Sequence, residues 1–407
     1  MSFRLPTRAP ASVRGALRLW SLLLLLAALG GVAAGAHFLR TPPSIGVPVP
    51  ARPAAAADAW STLPAGVRDR FARGVSLSFW FTHLDSRDMA QAAPDAADFA
   101  LIGRLGLRHV RVMFDPAWLS GGEPFGAPIE AHLQQLLAAT RQANDAGLMM
   151  VLAMQPMDAL KPDLAANPAT LAKAASAWRA VAEAFKTVPA DQVVFEVLNE
   201  PTTEDAARSR AMQVTLVEAV RAVSPDRVVV VAGAHFSDID DLVLLQPLAM
   251  PGVVYAFHFY EPHNFTHQGA TWGWPMWKQF HDLPYPSSPA GVQPILSTTS
   301  PEALEHVQWY GRQSWNREKL ATIVGKAVTW SRTHGVPIWC SEFGVLRDVT
   351  PPQSRRAWLT DVREIFESNG IAWTHFDWWN HFGLVTGPRG ARQVDEVAVT
   401  SLGLQSP

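Results

Sequence analysis

The chain has 407 residues, with 34 Lys and Arg against 36 Asp and Glu, so its net charge of −2 offers no basic field to recruit nucleic acid. Hydrophobic residues make up 48%, enough for a sizeable core in one large domain or two ordinary ones. Cys340 is the one cysteine, which excludes an intrachain disulfide, and 16 tryptophans suit a surface that stacks against flat neutral ligands such as sugar rings.

Arg4, Arg8, Arg14 and Arg18 precede an uncharged apolar run, "LWSLLLLLAALGGVAAGA", that ends in Ala34-Gly35-Ala36. Residues 1–36 therefore read as an export signal, either cleaved or kept as a membrane anchor. Residues 37–58 carry "TPPSIGVPVPARPAAAA", a Pro/Ala-rich linker without helical or alternating pattern. The domain is expected to occupy 59–407 and to act as a monomer.

From residue 66 onward, short apolar or β-branched runs alternate with longer amphipathic stretches. The runs lie at 74–79, 108–114, 148–154, 192–198, 227–232, 252–259, 336–340 and 371–376. Between them, "PIEAHLQQLLAATRQANDAG" and "LAKAASAWRAVAEAFKTV" have helical spacing, and Gly106 and Gly147 fall where helices should end. Eight strands separated by helices predict an α/β fold, a (β/α)8 TIM barrel, with a long loop insertion after strand 6 at 261–312. An open doubly wound sheet is the alternative, although no Gly-rich phosphate loop follows the first strand.

In such a barrel the chemistry sits at the C-terminal ends of the strands. Read to their ends, the strands supply Arg111 on the second, Gln155 after the third and Asn199-Glu200 after the fourth. The sixth ends in His258 and Tyr260, which share one face, the seventh in Glu342, and the eighth in the aromatic "FDWWNH". Two carboxylates among Arg, Asn, His and Tyr are what glycoside hydrolysis requires: one protonates the leaving oxygen and the other attacks or stabilises the sugar carbon.

"VLNEP" at 197–201, "HFY" at 258–260, "SEFG" at 341–344 and "VRVMF" at 110–114 together resemble glycoside hydrolase family 5, the cellulase family of the large (β/α)8 glycosidase clan. The resemblance spans about 66–404, closing on "SLGL". It implies that Glu200 is the general acid/base and Glu342 the nucleophile of a retaining β-glycosidase, most readily an endo-β-glucanase. It further implies that Asn199 bonds the sugar 2-hydroxyl, that Arg111 keeps Glu342 ionised, that Tyr260 donates to Glu342, and that His258 lies near Glu200.

The sequence departs from the family in three places. Gln155 stands where a sugar-binding histidine is usual. At the end of strand 8, where a platform tryptophan is usual, direct alignment puts Phe376, with Trp378 two residues on; both are carried as candidates. The insertion 261–312 brings Trp272, Trp274, Trp277 and Trp309, of which Trp272 and Trp274 are taken as substrate contacts. An exo-acting β-glycosidase or transglycosylase is the rival within enzymes, and a non-catalytic polysaccharide-binding protein the rival outside them. The His-rich "HFYEPHNFTHQG" is not taken as a metal site, and neither metal nor cofactor is expected.

Overall fold

The computed structural model describes residues 59–82 and 93–406; the segments 1–36 and 37–58 lie outside the described residues. Eight parallel strands close into a barrel in sequence order. They are β1 (Arg73–Ser76), β2 (His109–Phe114), β3 (Met149–Met154), β4 (Val193–Glu196), β5 (Val229–Ala232), β6 (Val253–Phe259), β7 (Ile338–Phe343) and β8 (Ala372–His375). Every expected run is a strand, and the open-sheet alternative is excluded by the β1–β8 pairing.

Alternation along the strands sorts the core into two parts. Inward residues such as Met149, Val151, Val194, Val230, Val254 and Trp339 fill the barrel, and Trp60 and Phe71 join that cluster. Outward residues such as Met150, Leu152, Phe195, Val229 and Tyr255 pack with the helices. Phe71 meets Trp339 edge-on at 5.2 Å, while the Trp60 indole donates to Gly370 O at 3.1 Å. Close approach explains one glycine in the barrel: a Cβ at Gly74 would lie 2.0 Å from His109 Nε2.

The expected helices run Glu130–Asp145 and Pro168–Ala184, the first ending just before Gly147 at φ 79°. Two boundaries differ from expectation. β1 stops at Ser76 rather than residue 79, because the chain turns through Phe79 at φ 65° into a Trp80–Phe81 stack. β7 runs on to Phe343, so Glu342 sits in the ladder and not in a loop.

The insertion at 261–312 is a folded unit and not the structureless loop its many prolines suggest. It contains the helix Pro301–Arg312, and its Phe265, Phe280, Leu283, Tyr285, Val307 and Tyr310 join the main core. Polar ties close it: the Tyr310 hydroxyl donates to Pro284 O at 2.7 Å, and Leu283 N donates to Gln268 Oε1 at 2.8 Å. Among the described residues no helix is long and apolar enough to cross a membrane.

Candidate active site

Arg111 is the floor of the site. It points inward from β2, is wholly buried, and its planar fork can hold several oxygens at once. Nε and Nη2 donate to the two oxygens of Glu196 at 2.6 and 2.8 Å, and Nη1 donates to Glu342 Oε1 at 2.6 Å. Nη2 also reaches Asn199 Oδ1 at 2.5 Å. Burial alone would weaken the cation, but the charges of Glu196 and then Glu342 outweigh it and raise Arg111 further above its usual value. Glu196 is the residue that sequence reading missed. Val194 faces inward on β4, so Glu196 two residues later must face inward as well. A carboxylate there needs a buried partner, and Arg111 is that partner.

Glu342 owes its aim to a register shift. Phe257 pairs with Cys340 but His258 pairs with Glu342, so Ser341 is an extra residue in β7. A bulge of this kind redirects a side chain beside a site. Glu342 thereby holds Arg111 with one oxygen and accepts the Tyr260 hydroxyl at 3.0 Å with the other. Burial, then the charges of Glu342 and Glu200, push the Tyr260 hydroxyl far above its usual value, so it remains a proton donor. His258 and Tyr260 thus lie on one face of the strand end, His258 against Glu200 at 2.9 Å and Tyr260 against Glu342. Just beyond, a Cβ on Gly344 would meet Phe376 O at 2.3 Å, so only glycine lets β7 pass the end of β8.

Glu200 follows β4 in a left-handed backbone conformation, φ 48°, which a side chain bears at a cost and which concentrates at functional sites. The segment is held from behind by the Trp178 indole, which donates to Val197 O at 2.9 Å. Glu200 Oε1 lies 2.9 Å from His258 Nδ1, and Oε2 lies 3.8 Å from the Nζ of Lys161, a second residue not singled out in the sequence. Burial raises the Glu200 carboxyl, but the hydrogen bond and charge of His258 and the charge of Lys161 prevail and hold it below its ordinary range. Asn199 gives its oxygen to Arg111 and one amide proton to Gln155 Oε1, which leaves a second amide proton for a ligand. Gln155 thus fixes the orientation of the Asn199 amide.

One oxygen each from Glu200 and Glu342 and a ring nitrogen of His258 lie within 4.8 Å of one another, the one such group among the described residues. A cation there would compete with Arg111 and Tyr260, which already hold both oxygens of Glu342. His263 and His267 stand four apart across a one-turn helix, so the segment does carry a His-x-x-x-His spacing, contrary to the expectation that it lacks one. Their rings are parallel at 5.4 Å and stack on Trp277, His267 at 4.7 Å, which makes them packing residues.

The aromatic residues require correction. Trp378 is 1% exposed and its indole donates to Asp98 Oδ1 at 3.0 Å, so it belongs to the core and cannot face a ligand. Phe376 is half-buried and holds the position at the end of β8, edge-on to Phe382 at 5.7 Å. Phe382 in turn lies 6.0 Å from Tyr260 and 6.4 Å from Trp272. These rings form a wall leading from Glu342 outward, and Trp272 ends it 46% exposed. Trp274 does not share that position. It is half-buried, edge-on to His306 at 5.0 Å and Phe280 at 5.9 Å, inside the insertion.

A split result follows for these tryptophans. Trp272→Ala is expected to raise KM on a polymeric substrate several-fold while changing KM on a small aryl glycoside little, since remote stacking is binding energy. Trp277→Ala, emptying a buried site, is expected to lower stability by about 3 kcal/mol. Steady-state kinetics on both substrates and thermal melts check this, and equal KM effects for Trp272→Ala would place that ring outside the cleft.

Comparison with known proteins agrees with this geometry. The profile of the cellulase family, glycosyl hydrolase family 5, matches residues 72–382. Endoglucanase 3 of Fibrobacter succinogenes is 29% identical over 231 residues, 54% of this chain and 35% of that protein, so the chain spans about a third of that relative's length. Endoglucanase C of Acetivibrio thermocellus is 23% identical over 316 residues, covering 75% of this chain and 91% of that protein. Among solved structures, endoglucanase Cel5A from the hyperthermophilic Thermotoga maritima shares the fold, with a TM-score of 0.68 at 18% identity over 85% of this chain and 99% of its own. The family profile takes in every strand of the barrel and both glutamates at its mouth, and the chain belongs to glycoside hydrolase family 5, the cellulase family, as a glycosidase.

Proposed function

We propose that the chain is an endo-acting β-glucanase that cleaves with retention of configuration. In this reading Glu342 attacks the anomeric carbon as the bond to the departing oxygen breaks. Glu200 gives its proton to that oxygen. A covalent glycosyl–Glu342 ester results, and Glu200, now a base, takes a proton from the water that hydrolyses it. The observation that carries the reading is the placement of oxygens of Glu200 and Glu342 within 4.8 Å of each other. Retaining enzymes hold their carboxyls about 5–5.5 Å apart, whereas inverting enzymes need roughly 6.5–9.5 Å to admit water.

The surrounding groups suit those roles. Arg111 and Tyr260 give the attacking carboxylate one donor for each of its two oxygens, which fixes its direction. The free amide proton of Asn199 is in position to bond a sugar 2-hydroxyl, and Gln155, Phe376 and Trp272 complete the cleft. The relatives named endoglucanases support the β-glucan substrate and the endo mode. The reading takes the chain to be an exported monomer that acts on carbohydrate, export resting on residues 1–36.

The test is a screen of the purified protein against soluble β-glucan, mannan, xylan and aryl β-glycosides. Fast loss of β-glucan viscosity with few new reducing ends, and a first product in the β configuration by NMR, are expected. Release of only terminal sugars would move the protein to the exo class, in which the insertion 261–312 walls off one end of the cleft. No turnover of any of them would favour a polysaccharide-binding protein.

A further inference from the structure

We propose that Lys161 is a positioning residue for Glu200: anchored on Asp158, it faces one oxygen of the carboxylate while His258 holds the other, so the exchanging proton is carried on the oxygen that lies under the lysine's field. The inference rests on Glu200 being the acid/base.

Lys161 opens the short helix after β3, and its side chain is 0% exposed. Buried lysines are rare unless paired. The anchoring partner, Asp158 Oδ1 at 2.8 Å, is itself 68% exposed and so screened by water. The remaining negative group is Glu200, whose Oε2 lies 3.8 Å away. That distance exceeds a hydrogen bond, whereas Asp158 at 2.8 Å takes the direct contact. The lysine therefore acts on Oε2 through its charge without occupying the lone pair. On the other side, His258 Nδ1 at 2.9 Å takes Oε1. Oε2 is left as the oxygen that can hold the proton destined for the leaving group and later receive one from water.

The groups facing Glu200 are His258 and Tyr260 from the end of β6, Lys161 and Asp158 from the segment after β3, and Glu342 from β7. Lys161 and His258 favour the carboxylate, while Asp158 and Glu342 oppose it. By favouring the ionised form, Lys161 assists the second half-reaction, in which Glu200 is a base. It also sets the pH above which the first half-reaction fails for want of a proton. The alkaline limb of kcat/KM reports that acid in the free enzyme. Removing a cation near Glu200 makes its proton harder to lose, so the limb must move to higher pH.

The experiment is the pH profile of kcat/KM on an unactivated β-glucan oligosaccharide for the full-length protein and three variants. Lys161→Met is expected to move the alkaline limb up by about one pH unit, since a charge at this separation interacts on that scale or above. Lys161→Arg, retaining the charge, is expected to restore the limb to within about a third of that shift. Asp158→Asn, which keeps a hydrogen-bond acceptor but deletes an opposing negative charge, is expected to move the limb the other way. An unmoved limb in Lys161→Met with a raised KM on every substrate would make the lysine a sugar contact and overturn the proposal. Limbs moving in the same direction in both variants would reduce the pair to packing. If Lys161→Met does not fold, Asp158→Asn decides alone, and a limb that fails to fall sinks the idea. The underlying assignment is tested apart from this, by azide rescue of Glu200→Ala. Rescue with an unmoved limb removes only the lysine's role, and lack of rescue removes the reading on which it rests.

Discussion

Glu342→Ala is expected to leave even aryl β-glycosides with excellent leaving groups almost unhydrolysed, while Glu200→Ala still releases the phenol in a burst and then stalls. The difference comes from the two positions in the site. Glu342, held by Arg111 and Tyr260, supplies the electron pair that forms the ester, and no property of the leaving group replaces it. Its loss is expected to cost on the order of 10⁴-fold or more in kcat. Glu200 supplies only a proton, which an activated phenolate scarcely needs. On an unactivated oligosaccharide its loss is expected to cost about 10²–10⁴-fold, the usual worth of a placed general acid. The stall follows because no base activates water for the ester. Azide needs no base, so it is expected to restart Glu200→Ala and yield a β-glycosyl azide. With Glu342→Ala azide can only enter from the vacated face, giving the α-azide. NMR of the products reads the anomers, and anomers exchanged between the two variants would reverse the roles. An α product from the unaltered enzyme would end the retaining reading altogether.

Legibility in the sequence followed how local each signal is. The strands were readable because both barrel faces bury apolar side chains, which leaves continuous runs of Val, Met and Ala. The two glutamates were readable because polar residues at strand ends are conspicuous after such runs. Glu196 was passed over for the opposite reason: it sits inside the run, and its partner Arg111 lies on a strand with β3 between them. Period-two counting from Val194 was the signal that could have found it. Lys161 was hidden because lysine on a short helix after a strand is ordinary at the surface, and only the turn at Asp158 brings it under Glu200. Trp378 misled because its exposure depends on where the chain bends after β8. Its backbone N–H bonds Ser76 O at 2.9 Å, which draws the ring inward toward Asp98. The helix Pro301–Arg312 carried an i, i+4, i+7 pattern in Ala303, Val307 and Tyr310, obscured by the prolines before it.

The second large effect concerns the buried pair that sequence reading left out. Arg111→Met removes the only hydrogen-bond donors that the described residues give to the Glu196 carboxylate, leaving a charge stranded in the buried barrel interior. Breaking one side of such a pair costs about 3–5 kcal/mol. For a domain of this size that corresponds to a melting temperature lower by roughly 5–15 °C. Activity is expected to fall as well, by on the order of 10²-fold or more, since Glu342 loses the donor on Oε1 and Asn199 loses the one on its amide oxygen. The two losses separate in Arg111→Met with Glu196→Leu. Apolar groups of similar volume in place of both ions are often neutral or stabilising, so the melting temperature is expected to recover most of its fall. Glu342 remains without its cation, so activity is expected to stay low. A double variant that recovers activity along with stability would make Arg111 a purely structural residue. A single variant that melts normally would mean that Glu196 is accommodated without Arg111, by another donor or by taking up a proton, and that the pair does not hold the barrel together. The expected pattern, stability restored and turnover not, assigns Arg111 both tasks: it neutralises Glu196 so that the barrel can close, and the same fork orders the carboxylate that attacks the sugar.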